Sequence, residues 1–122
     1  MKTLLKLFVI LLLVTVAGCS GAKPKRDKSA DVMYKEAMDY FEREDYEDAI
    51  AAFQGLNAKY PVSEYTVQAK LRIADSYYKD ENYPEAIAAY REFEKLHPTN
   101  ENVPYAIFQA GMSYFNQMLT ID

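Results

Sequence analysis

The chain is poor in the residues that build most catalytic sites and most tight turns. It has one cysteine, one histidine, four glycines and five prolines in 122 residues. With Cys19 alone, no intramolecular disulfide can close. Sparse Gly and Pro disfavour a turn-rich β fold and favour helices. The one histidine, His97, stands before Pro98 at a predicted helix end, where a capping or surface role is expected of it. Metal centres need several His, Cys or carboxylate ligands at short spacing. The acidic runs Glu42-Arg43-Glu44-Asp45 and Asp80-Glu81 fall instead in predicted turns, as solvated charge. Neither a Gly-rich phosphate loop nor a Gly-x-Ser-x-Gly motif occurs. No enzymatic activity, metal or cofactor is therefore expected. The longest apolar run, Leu7–Val16, holds ten residues broken only by Thr15. That is too short to span a bilayer as a helix.

What is present is acid, aromatics and a repeat. Half of the residues are apolar, enough for a packed core, and the formal charge is −4. That sum hides an asymmetry. Lys23, Lys25, Arg26 and Lys28 stand against one acid, Asp27, whereas from Asp31 onward eight Lys/Arg face seventeen Asp/Glu. An acidic body argues against nucleic acid, whose binding rests on phosphate neutralisation. It also argues against the body lying flat on an anionic membrane. The basic stretch reads either as a solvated linker or as a contact to anionic head groups.

The first 18 residues read as an address. Lys2 and Lys6 form a charged start, and Leu7–Val16 fits the apolar region of a signal peptide. Val16-Ala17-Gly18-Cys19 then resembles the bacterial lipobox, with an aliphatic residue, two small residues and a cysteine. The resemblance implies cleavage before Cys19 and diacylglyceryl transfer to its thiolate, so a covalent lipid on Cys19 is expected. Several acyl chains make a lasting anchor, at roughly 0.8 kcal/mol per buried CH₂. Ser20, where Asp would favour retention in the inner membrane, implies the outer membrane. Residues 19–30 carry no apolar periodicity and read as the lipidated end of a flexible basic tether. The eleven residues from Ser20 to Ala30 reach roughly 36–40 Å when extended. The folded part is therefore expected to stand in the periplasm.

Residues 31–122 repeat with a period of 37. Ala37, Ala74 and Gly111 keep that spacing, as do Tyr40, Tyr77 and Tyr114. Tyr46-Glu47-Asp48-Ala49-Ile50 recurs as Tyr83-Pro84-Glu85-Ala86-Ile87. Phe53 pairs with Tyr90, Leu56 with Phe93, and Tyr60-Pro61 with His97-Pro98. Each unit reads as helix A, a turn and helix B. The first A helix is predicted over Asp31–Arg43, and its B helix runs to Tyr60, stopped by Pro61. Asp45, with Asp48 three residues on, and Asn82 are the expected caps of the two B helices. A third A helix is predicted over Pro104–Met118. The units fall at 31–62, 63–99 and a partial 100–122.

This pattern resembles the tetratricopeptide repeat. The resemblance implies an all-α solenoid of about two and a half repeats and five helices, with Ala37 facing Ala49 and Ala74 facing Ala86. A closer likeness runs through Tyr60-Pro61-x-Ser63-x-Tyr65, Leu96-His97-Pro98-x-Asn100, Tyr105-Ala106 and Gly111-Met112-Ser113-Tyr114-Phe115. These stretches, with the lipobox and tether, resemble the BamD family of outer-membrane lipoproteins of the β-barrel assembly machinery. That family carries about five repeats, so the chain reads as an N-terminal fragment of such a protein. The likeness implies partners: a BamA-like barrel protein, companion lipoproteins, and unfolded outer-membrane protein segments. A repeat lipoprotein that scaffolds cell-wall or division enzymes is the alternative.

In stacked helix pairs the A helices line the concave side. Repeat phase places Tyr34, Met38, Phe41 and Glu42 there in the first unit. It places Gln68, Leu71, Asp75, Tyr78 and Lys79 in the second, and Tyr105, Phe108, Met112, Phe115 and Asn116 in the third. Aromatic and Met side chains give large, adaptable contact area, so a peptide-binding groove is expected, several of whose members also pack between helices. The third A helix is expected to leave a sticky face and to drive self-association.

Overall fold

A computed structural model describes residues 27–120, together with Met1. The expected signal peptide, Val16, Ala17, Gly18, Cys19 and most of the expected tether lie outside the described residues, as do Ile121 and Asp122.

Five helices and no strand make up the described residues: α1 (Ala30–Glu42), α2 (Tyr46–Lys59), α3 (Glu64–Lys79), α4 (Tyr83–Leu96) and α5 (Val103–Leu119). Connections of three to six residues turn each helix back on the one before. Consecutive helices pack together, and α1 also touches α3. Helices α1, α3 and α5 are thus the A helices, and α2 and α4 the B helices, of a repeat solenoid.

The repeat is visible in the core. One cluster of buried residues joins Ala37, Ala49, Phe53, Leu56 and Ala69. The other contains Ala74, Ala86, Tyr90, Phe93 and Ala106, each 37 residues further on, and adds Leu71 and Ala110. Alanine at the A–B contacts lets the two helix backbones approach, and all four of Ala37, Ala49, Ala74 and Ala86 are fully buried. Burying a side chain such as Phe53 or Leu56 contributes about 1.5–3 kcal/mol. The sharing of Ala69 and Ala106 between units was not read from the sequence, because an alanine among other alanines carries little pattern.

The turns between A and B helices repeat as well. Glu44 and Glu81, 37 apart, both take positive φ, 64° and 59°. Glu44 N–H donates to the Phe41 carbonyl and Asp45 N–H to the Tyr40 carbonyl, and Glu81 and Asn82 do the same with Tyr78 and Tyr77. This is a Schellman end with Glu where Gly is usual. Nothing in the residues signals it, since glutamate stands at the position where glycine would.

The boundaries of α1, α2, α4 and α5 fall within one residue of expectation, but the capping chemistry differs. Asp45 and Asn82 occupy the N-cap positions of α2 and α4 without any side-chain capping bond. The Asp45 carboxylate instead accepts from Arg43 Nε at 3.2 Å. With ψ of 67° at Asp45 and 71° at Asn82, the backbone comes straight from the Schellman turn and is not in the usual extended N-cap conformation. A side-chain cap does occur on α3, where Ser63 Oγ accepts from Tyr65 N–H at 3.2 Å.

The described end of the basic stretch is held against the solenoid. Asp27 pairs with Lys59, and the Lys28 carbonyl accepts from Tyr60 Oη at 2.6 Å. Lys28 Nζ pairs with Glu36 at 2.6 Å.

Candidate functional site

The A-helix side carries a recess of about 380 Å³. Tyr34 of α1, Gln68, Leu71 and Arg72 of α3, and the 100–102 segment before α5 line it. Tyr34 is set by tilted stacking on Phe53 and Tyr65, with ring centroids 5.6 and 5.5 Å away. Leu71 is 7% exposed and forms part of the core as well as the recess wall. Three residues expected in a groove, Tyr34, Gln68 and Leu71, therefore meet at one place.

Beside the recess lies a polar network built on Asp75, which is 4% exposed. Its Oδ1 accepts from Tyr90 Oη at 2.7 Å and Tyr105 Oη at 2.9 Å, and its Oδ2 pairs with Arg72 Nη1 at 2.7 Å. A buried carboxylate needs such partners, since an unpaired one is far too costly to bury. The network ties α3, α4 and α5 together. Burial, reinforced by the Asp75 carboxylate, pushes the Tyr90 and Tyr105 hydroxyls above the ordinary tyrosine range. Both therefore stay protonated and donate, which is positioning and not acid–base chemistry. Further along α3, the Tyr78 hydroxyl accepts from Asn116 Nδ2 at 3.0 Å and the Tyr78 ring meets Tyr83 edge-on.

The third unit presents its aromatics openly. Tyr105 is 40% exposed, Phe108 63% and Phe115 51%, while Met112 is half-buried. In the first unit Met38 and Phe41 pack against the core, and Phe41 meets Tyr46 edge-on, so neither joins Tyr34 at the recess. Glu42 and Lys79 are exposed at helix ends. Of the residues expected in a groove, Tyr34, Gln68 and Leu71 of α1 and α3 thus meet at a polar-rimmed recess, while Phe108 and Phe115 lie open on α5.

Sequence reasoning missed Arg72, which lies four residues after Gln68 and three before Asp75 and so shares their helix face. It also missed a cleft of about 350 Å³ on the other flank of α3, between α2 and α4, lined by Asn57, Lys70, Ile73, Tyr77, Ala89 and Glu92 among others. The buried Asn57 Oδ1 there makes no hydrogen bond. His97 stacks on Phe93 at 5.3 Å, at the end of α4. Among the described residues no cluster of three or more His, Cys, Asp or Glu could hold a metal. No helix among them is long and apolar enough to cross a membrane.

No curated protein matches the chain. A family does: YfiO, described as outer membrane lipoprotein, matches residues 26–121, which takes in every described helix. The chain belongs to the YfiO family of outer-membrane lipoproteins.

Proposed function

We propose that the chain is a BamD-like, periplasm-facing scaffold of the β-barrel assembly machinery, acylated at Cys19, which binds segments of unfolded outer-membrane proteins. Its assembly partners on this reading are a BamA-like barrel protein and companion lipoproteins. The membrane is engaged through the lipid.

One observation carries the reading. In a chain of an outer-membrane lipoprotein family, the A helices α1 and α3 wall a recess with Tyr34, Leu71 and Arg72, and the A helix α5 exposes Phe108 and Phe115. A client segment rich in aromatic residues finds stacking partners at both places. In the recess it also finds hydrogen-bonding groups on Gln68, Asn100 and Asn102. Large, low-entropy side chains and adaptable Met suit a receptor that must accept many sequences sharing one character.

The test is capture from detergent-solubilised envelopes with the acylated chain as bait. The expected result is recovery of a BamA-like barrel protein and of nascent outer-membrane proteins, the latter reduced several-fold by Phe115→Ala with Tyr78→Ala. Phe115→Ala alone removes an exposed ring, so its effect does not depend on altered folding. Recovery of peptidoglycan synthases or hydrolases without any barrel protein would overturn the assembly reading.

A further inference from the structure

The two edges of the solenoid differ in charge and in their link to the chain's N-terminal segment. Helices α1, α3 and α5 begin, and α2 and α4 end, at one edge, because consecutive helices run back on each other. That edge holds the 60–63 and 97–102 connections, with Val62 97% exposed and Leu96 49%. Its lysines, Lys28, Lys59 and Lys95, stand against Asp27, Asp31, Glu64 and Glu101, so it is far less acidic than the other edge. The opposite edge holds the two Schellman turns. There Glu44, Asp45, Glu47, Asp48 and Asp80 line one recess, against which the edge sets two cations, Arg43, paired with Asp45, and Lys79.

Asp27 is held at the first edge by Lys59, and Lys28 by Tyr60 and Glu36. Asp27 stands only eight positions after Cys19, a reach of roughly 26–29 Å when fully extended. The A and B helices, at 13 to 17 residues, are about 20–25 Å long.

We propose that the edge formed by the 60–63 and 97–102 connections faces the phospholipid bilayer, while the acidic edge is held away from it. The proposal rests on acylation of Cys19, as read above. With the near edge down, Asp27 sits beside the head groups and the link to Cys19 stays slack. With the acidic edge down, Asp27 is lifted by the length of a helix, which draws the link almost straight and removes its conformational freedom. It also presses a cluster of carboxylates onto an anionic surface within a Debye length, where like charges repel. Both effects act in the same direction. Val62 and Leu96, with Tyr60 between Lys59 and Pro61, then lie at the level where aliphatic and amphipathic side chains meet an interface.

The chain has no tryptophan, so a single introduced one reports its own position. Val62→Trp and Asp48→Trp place it at the two edges, both at exposed sites. Each variant, acylated in a Gram-negative host, is reconstituted into phosphatidylglycerol–phosphatidylcholine vesicles bearing a dansyl lipid. A parallel sample is coupled through Cys19 to a maleimide lipid, so that a failure of natural acylation, seen by mass spectrometry of Cys19, is told apart from a failure of orientation. Energy transfer several-fold greater from Val62→Trp than from Asp48→Trp, with the gap narrowing in phosphatidylcholine alone, is the expected result. Equal transfer from the two, or stronger transfer from Asp48→Trp, would overturn the proposal. Thr99→Trp and Glu47→Trp, also exposed, repeat the comparison should either first variant lose helicity.

Discussion

At the scale of single residues, Asp75 is the most constrained group on the A-helix side. A hydrogen bond to a charged group contributes about 1.5–3 kcal/mol, and Asp75 receives one from each of Tyr90 and Tyr105 as well as its pairing with Arg72. Tyr90 is fully buried and its hydroxyl is pushed up, first by burial and then by Asp75. In the unfolded chain a tyrosine ionises near pH 10. A pKa raised on folding gives stability that is complete below that pH. It is lost as pH rises further, because the unfolded state sheds a proton that the folded state keeps. For the fully buried Tyr90 this removes about 1.4 kcal/mol by pH 11. Tyr90→Phe is therefore expected to lower stability by about 1–2 kcal/mol at pH 8 and to flatten the fall between pH 9 and 11. Urea unfolding at the two pH values checks this, and an unchanged slope would refute it.

At the scale of elements, the repeat predicts opposite outcomes at positions of the same phase. Ala74 is fully buried where α3 meets α4, so Ala74→Leu is expected to cost about 1–3 kcal/mol through overpacking. Gly111, 37 residues later, has open space where a Cβ would stand. Gly111→Ala within α5 is expected to stabilise the chain by about 0.5–1 kcal/mol through helix propensity. Thermal or urea unfolding of the two variants settles the matter, and a destabilising Gly111→Ala would show that this face is covered. The helices themselves were legible because each small–aromatic–small pattern recurs and agrees with a proline or acidic turn. The turn chemistry was not, because Glu44 and Glu81 do by context what glycine does by nature. Nor could periodicity tell which A-helix residues turn inward. Leu71 and Asp75 lie on the same phase as Gln68, yet both are buried by α4 and α5, whose approach depends on the stacking of units.

At the scale of the whole molecule, α5 stands out for what it leaves uncovered. Ile107, Phe108, Tyr114, Phe115, Met118 and Leu119 are all about half exposed or more. An exposed apolar row of this kind is a docking surface or an aggregation hazard. The isolated chain is expected to self-associate in sedimentation velocity at micromolar concentration, and Ile107→Glu with Tyr114→Glu to return it to a monomer. A monomeric parent chain would contradict this. The site was legible as an aromatic A-helix side but not as a recess, because Tyr34, Arg72 and Asn100 come together only when three separate segments stack.

The two buried clusters share a wall. Ala69 of α3 belongs to the first, and Leu71 and Ala74 of the same helix belong to the second. The array is therefore a leaf spring and not beads on a string. A load that changes the curvature on one side of α3 must bend or tilt that helix and so is felt on the other side. A change in the tilt of α3 therefore moves residues of both clusters at once, on the Tyr34 side of the first and the α5 side of the second.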